Sequence, residues 1–246
     1  MFQTLKKAWG VPEIRKKLLY TLLMILIFRF GSAVTVPFLD SEVVGSWMKT
    51  NAKDGNFLEY LNILTGGALS QATIFSLSIT PFINASIIMQ LLTFALPPLE
   101  RLRDEGEEGR KKIEKITSFV AMALAFFMAY AYYVTLTRME DKNGNPAIRF
   151  TEGWEKYLSA AVIILCFVAG ASLVVWMGNR ISDKGIGNGV SMILFAGIAA
   201  RFPVDAGVLV ELTKSKPEKY LFVSLGYLVF VIFEIGFIVF MNEAER

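Results

Sequence analysis

The chain has 246 residues, of which 54% are hydrophobic and 19% charged, and its formal net charge is +3. Counting Gly in place of Tyr gives about 59% apolar residues, against about 45–50% in soluble domains, so a chain of this length reads as a membrane protein. It contains no histidine and one cysteine, Cys166. That excludes His-based triads, imidazole relays, internal disulfides and Cys-cluster metal sites, and the small net charge gives no argument for nucleic acid.

A membrane span needs roughly 20 mostly apolar residues. Six stretches are candidates: about Leu18 to Val36 with Arg29 inside it, Thr73 to Leu96, Ile116 to Leu136, Tyr157 to Met177, a short one from Val190 to Phe202 with Arg201 near its end, and Tyr220 to Met241 with Glu234 inside it. They do not alternate apolar with polar, so helices rather than a β-barrel are expected. Lys and Arg set the orientation. The N-terminal arm has five (Lys6, Lys7, Arg15, Lys16, Lys17), the first loop two (Lys49, Lys53), and the second loop six (Arg101, Arg103, Arg110, Lys111, Lys112, Lys115). This order predicts a cytoplasmic N-terminus. Residues 2–17 mix apolar and basic side chains, which suits a helix lying on anionic lipid.

Residues 57–64, Phe-Leu-Glu-Tyr-Leu-Asn-Ile-Leu, are amphipathic but too short to cross, and Gly66-Gly67 then breaks the chain. Two readings stand: a movable half-helix folded into a protein-lined cavity, or an ordinary external loop with one helical turn. Pro81 lies inside the second stretch, where a proline removes a backbone donor and kinks a helix. Ser76, Ser78, Thr80, Asn84, Ser86 and Gln90 around it should face helices or water rather than lipid. Ile79 and Ile83 share a face, either lining a channel or packing into the bundle. Arg29 is expected to snorkel or to pair with an external acid such as Asp40. Glycines 185, 187 and 189 do not make a nucleotide loop, because no strand precedes them and Val190 stands where the third glycine of that motif belongs. A tight turn re-entering a helix is expected there, and Lys142-Asn143-Gly144-Asn145-Pro146 predicts a small hairpin.

Two segments carry a family resemblance. The run from Ser76 to Leu92, SLSITPFINASIIMQLL, resembles the second-helix signature of the SecY family, the large subunits of the bacterial protein-conducting channel, and Gly185-Ile-Gly-Asn-Gly-Val-Ser191 resembles that family's signature entering the fifth helix. Thr65 to Ser70 looks like the end of its plug, and Gly106, Glu107, Gly109, Arg110, Lys111 and Lys112 look like its first large cytoplasmic loop. Ser78 departs from the family's usual glycine, and Asn179 from its usual acidic residue. The family has ten spans, so the six here read as an N-terminal fragment.

The resemblance implies an all-α polytopic membrane bundle, six spanning helices plus a short re-entrant plug helix, forming one half of a two-halved channel fold. It implies a cytoplasmic interfacial arm (1–17), a channel half (18–202) with its plug at about 57–70, and an external loop with a sixth helix (203–246). Ile79, Ile83, Val190 and Leu194 are implied for the pore ring. The plug would use Leu58, Tyr60, Leu61, Ile63, Leu64, Thr65, Gly66 and Gly67. Thr80 and Gln90 are implied for the lateral gate, and Arg101, Arg103, Arg110, Lys111 and Lys112 for a cytoplasmic partner loop. Implied partners are SecE-like and SecG-like subunits, a SecA-like motor ATPase, the ribosome, signal-bearing unfolded polypeptides and anionic lipid, in the bacterial cytoplasmic membrane. No cofactor and no enzymatic activity are implied. An ion-coupled secondary transporter is the alternative, since it too uses broken helices. Glu234 stands as the lone acid in the six stretches, and a membrane enzyme has little support without His or an acid pair.

Overall fold

The computed structural model describes residues 10–51, 57–140, 144–150, 153–215 and 217–244. Its helices are α1 (Pro12–Gly31), α2 (Ser41–Asn51), α3 (Phe57–Leu64), α4 (Thr80–Ala95), α5 (Pro97–Asp104), α6 (Glu107–Leu136), α7 (Glu155–Lys184), α8 (Gly189–Ser215) and α9 (Pro217–Ala244). Among the described residues there is no strand, only three isolated antiparallel bridges. The chain divides into two units, Met1–Ala199 and Ala200–Arg246, with α8 running across the boundary.

Each expected span overlaps a helix, but the first runs five residues beyond the end of α1 at Gly31 and the second starts seven residues before α4. By length and composition α6 and α7 can each cross a bilayer, while α4 and α5 reach that size only as a pair bent by 99°. The second stretch differs most from expectation. Its helix begins at Thr80, not Thr73, and Pro81 sits in its first turn rather than kinking its middle. A proline there forfeits only an amide that has no helical partner in any case. Residues 65–79 are a string of turns instead. Their backbone is satisfied locally, by Ala72 N–H to Leu69 O (3.1 Å), Ser76 N–H to Thr73 O (3.0 Å) and Ser78 N–H to Phe75 O (2.8 Å). Side chains add to this. Asn62 Oδ1 accepts from Ser70 N–H at 3.0 Å, the Ser76 hydroxyl donates to Thr73 O at 2.6 Å, and the Tyr132 hydroxyl of α6 donates to Leu69 O at 2.8 Å. Unwound backbone at membrane depth is tolerated only when it is so enclosed.

Two residues of this segment, Ala72 and Ser78, hold a left-handed backbone, each with φ +47°. Ser78 is buried and has φ +47°, a left-handed conformation costing a non-glycine residue about 1 kcal/mol. A glycine there, which the resemblance implies, would not bear this cost. Ser78→Gly is expected to stabilise the protein by about 1 kcal/mol, read as a raised melting temperature in detergent; an unchanged or lowered one would contradict it.

α4 packs on α6, α6 on α7, and α1 on α7. Thr117, Ala121, Ala125 and Ala129 recur every four residues along the buried side of α6, and small side chains at that spacing let helices approach closely. One core cluster joins α2, residues 69–77, α6 and α7; a second joins α1, residues 75–83, the end of α7 and the start of α8.

Helix α2 had no counterpart in the sequence reading. Asp40 caps it, accepting from Glu42 N–H at 3.0 Å, as an acid before a helix start does. Asp40 is accordingly not the partner of Arg29, whose guanidinium reaches α8 instead. The expected loop between the second and third stretches is also helical: α5 and the first turns of α6 flank Gly106, which has φ +77°. The residues flanking the expected hairpin pair, with Ala147 N–H on Met139 O at 3.0 Å and a bridge between Glu140 and Pro146, while residues 141–143 lie outside the described ones. So do residues 1–9, most of the expected interfacial arm. The helix expected to end near Phe202 continues to Ser215.

Candidate functional site

The four aliphatic residues that the resemblance implies for a pore ring fall in the second cluster. Ile79, Ile83, Val190 and Leu194 all belong to it, with Phe28 of α1 and Met177 and Ile181 of α7. Two local devices bring them together. Ile79 caps α4, and its carbonyl accepts from Ile83 N–H at 3.1 Å, so the two side chains follow one another by a helical turn. At the other element, Asn188 Oδ1 accepts from Val190 N–H (3.0 Å) and Ser191 N–H (3.3 Å), which starts α8. Gly189 abuts α7 so closely that an added Cβ would lie 2.7 Å from Ile181 Cβ and inside the Gly178 carbonyl oxygen. The tight turn re-entering a helix is thus a cap plus a backbone contact that only glycine permits.

The four are not equivalent. Ile79 is fully buried, whereas Ile83, Val190 and Leu194 are half-exposed. At Gly178 an added Cβ would lie 3.5 Å from both Ile79 Cδ1 and Val190 Cγ2, so both pack over α7, and the half-exposed Ile83, Val190 and Leu194 form the rim of the cluster.

Helix α3 occupies the residues expected of the short half-helix, 57–64, and it ends at Gly66 (φ +68°) and Gly67 (φ +89°). Thr65 is buried, Leu61 and Leu64 are half-buried, and Tyr60 and Ile63 are exposed; the Leu58 side chain lies outside the described ones. The turn rests on α8, since a Cβ at Gly66 would lie 2.6 Å from Gly197 O.

Thr80 and Gln90 are not brought together. Thr80 lines a cavity of about 170 Å³ with Thr65, Ser76 and Tyr132. Gln90 is exposed and lines a separate cleft of about 680 Å³ with Ser86, Thr93, Asn179, Ser182 and Asn188. Ten residues of helix, about 15 Å, separate the two.

The five basic residues fall on α5 and the start of α6. Arg103 pairs with Asp104 at 3.5 Å and Glu100 at 3.9 Å, and lies 5.0 Å over the Phe94 ring. Lys112 pairs with Glu105 at 3.0 Å, and Arg101, Arg110 and Lys111 are exposed. Exposed pairs of this kind add little stability. Cations at a helix N-terminus oppose its dipole, and Glu107 and Glu108 in the first turn of α6 offset them. Sequence reasoning missed Tyr132, which follows the small-residue stripe of α6 by one turn, and Gly197.

Apolar helices of spanning length, one of them replaced by an unwound segment and a bent pair, define a polytopic helical membrane protein. The family model described as SecY matches residues 73–246. The Protein translocase subunit SecY of Thermotoga maritima is 36% identical over 206 residues, covering 82% of this chain and 46% of the relative. That of Escherichia coli K12 is 35% identical over 241 residues, covering 96% and 52%, and that of Streptomyces coelicolor is 33% identical over 247 residues, covering 100% and 56%. Two solved structures share the fold at 18% identity, each covering 90% of this chain and 45% of its own: "The structure of a protein conducting channel" (TM-score 0.51) and "Sec61 in the Canine ribosome-channel complex from the endoplasmic reticulum" (TM-score 0.52). The chain belongs to the SecY family. It spans about half the length of the curated relatives it matches.

Proposed function

We propose that the chain forms one half of a protein-conducting channel in the bacterial cytoplasmic membrane, passing unfolded polypeptides across it and releasing apolar segments sideways into lipid. Its relatives are translocase subunits. The observation that carries the reading is the gathering of Ile79 and Ile83 with Val190 and Leu194 in one apolar cluster. A ring of such side chains seals against ions by dewetting and makes no sequence-specific contacts with a polypeptide. Residues 57–70 serve as a plug whose glycine turn rests on α8. The protein is not an enzyme and uses no cofactor. The N-terminal arm with Lys16 and Lys17, and the loop with Arg103 and Arg110, lie in the cytoplasm. Its partners are SecE-like and SecG-like subunits, a SecA-like motor, the ribosome and anionic lipid.

The assembled translocon containing this chain, reconstituted in liposomes, should import a signal-bearing polypeptide into a protease-protected lumen. No protection, where a related translocon protects the same substrate, would overturn the reading.

The cleft polarity around Gln90 yields a further expectation. A polar gate helix resists exposure to lipid and biases the gate closed until an apolar signal displaces its contacts. Gln90→Leu is expected to let weakly apolar signals through several-fold faster in an export assay. Export unchanged for such signals would remove Gln90 from the gate.

A further inference from the structure

We infer that Arg29 is the positioning residue that keeps the plug seated, by clamping the stretch of α8 on which the plug turn rests. The inference builds on the channel reading above. Arg29 stands in the apolar part of α1, where a charge is costly unless it is spent on specific partners. Its Nη2 donates to Ala196 O at 2.9 Å and to Gly197 O at 3.3 Å. The Gly197 oxygen is also the atom that Gly66 approaches, and a Cβ at Gly197 would lie 3.2 Å from Leu64 O at the end of α3. One carbonyl therefore faces the guanidinium of α1 and the glycine turn of the plug. A planar cation with several donors fixes two successive helix carbonyls at once, which a lysine ammonium does less well.

The geometry makes α8 the seat and Arg29 the bracket. Without the guanidinium, the 196–197 segment loses its tie to α1 and the turn loses a fixed surface. The plug then leaves its seat more often, while the path beyond it is unchanged.

The test uses the assembled translocon containing this chain in planar bilayers, reading resting ion conductance and, separately, the rate at which an already engaged polypeptide passes. Arg29→Ala should raise resting conductance about tenfold, the loss of charge-assisted bonds expressed as a population shift, and leave the passage rate unchanged. Arg29→Lys should fall between. Gly197→Ala, which presses on Leu64 O, should reproduce the leak, and the double variant should leak no more than the worse single one. A folded Arg29→Ala protein that stays tight, while deletion of residues 57–66 leaks, overturns the inference and leaves the channel reading intact. If the deletion does not leak either, both fall. Should Arg29→Ala fail to accumulate, tight Arg29→Lys and Gly197→Ala variants overturn the inference on their own.

Discussion

Shortening three of the four aliphatic residues, Ile79 alone and Ile83 with Leu194, should separate two effects. Ile79→Ala is expected to cost about 2 kcal/mol of stability, because Ile79 is fully buried and in a membrane the loss is mainly packing and the cavity left behind. The measurement is thermal unfolding in detergent. Ile83→Ser and Leu194→Ser are half-exposed positions and should each cost under about 1 kcal/mol, yet the pair together should raise resting ion conductance of the assembled translocon strongly. A hydroxyl in a dewetted constriction invites water, and water carries ions. If the paired serine variant unfolds as readily as Ile79→Ala and does not leak, the rim is only core.

The second large effect belongs to Gly189. A methyl group there would collide with the Gly178 carbonyl oxygen and lie 2.7 Å from Ile181 Cβ. Both obstacles are backbone or backbone-proximal, so neither can swing aside. Gly189→Ala is expected to destabilise the protein by about 3 kcal/mol, at the upper end for overpacking, and to displace Val190 and Leu194 from Ile79. Reduced accumulation and a lowered melting temperature would register it. A protein as stable as wild type would show that the α7–α8 turn can open without cost. By contrast Gly187, with φ +71° and open space around it, should lose only its conformational advantage on substitution.

What the sequence made legible was local. The amphipathic run 57–64 and the glycines after it are read from adjacent residues, and α3 and its break fall where they do. The turn at 185–189 is legible for the same reason: glycine and asparagine each state their own backbone requirement. The start of α4 was not legible. Apolar content from Thr73 onward is continuous, so periodicity alone extends the helix upstream. What unwinds 65–79 is partly distant, above all Tyr132, 63 residues from the Leu69 carbonyl that it serves. The partner of Arg29 was missed likewise. Charge complementarity favoured a nearby acid, but Asp40 is committed to capping α2 and the guanidinium finds carbonyls 167 and 168 residues away. The aliphatic cluster was proposed from resemblance, because nothing local in either segment says that Ile79 and Val190 meet. The transporter alternative rested on broken helices alone, and the relatives, which are translocase subunits, give it no support.

The central claim is that the half-exposed rim of this cluster borders the path of a polypeptide in transit. The most direct measurement places a photo-crosslinking amino acid at Ile83, Leu194 and, for comparison, the exposed Phe119 and Phe126 of α6, then arrests a polypeptide midway through the assembled translocon. Adducts between the polypeptide and positions 83 and 194, and none from 119 or 126, are expected. Adducts with lipid alone at 83 and 194 would contradict the account.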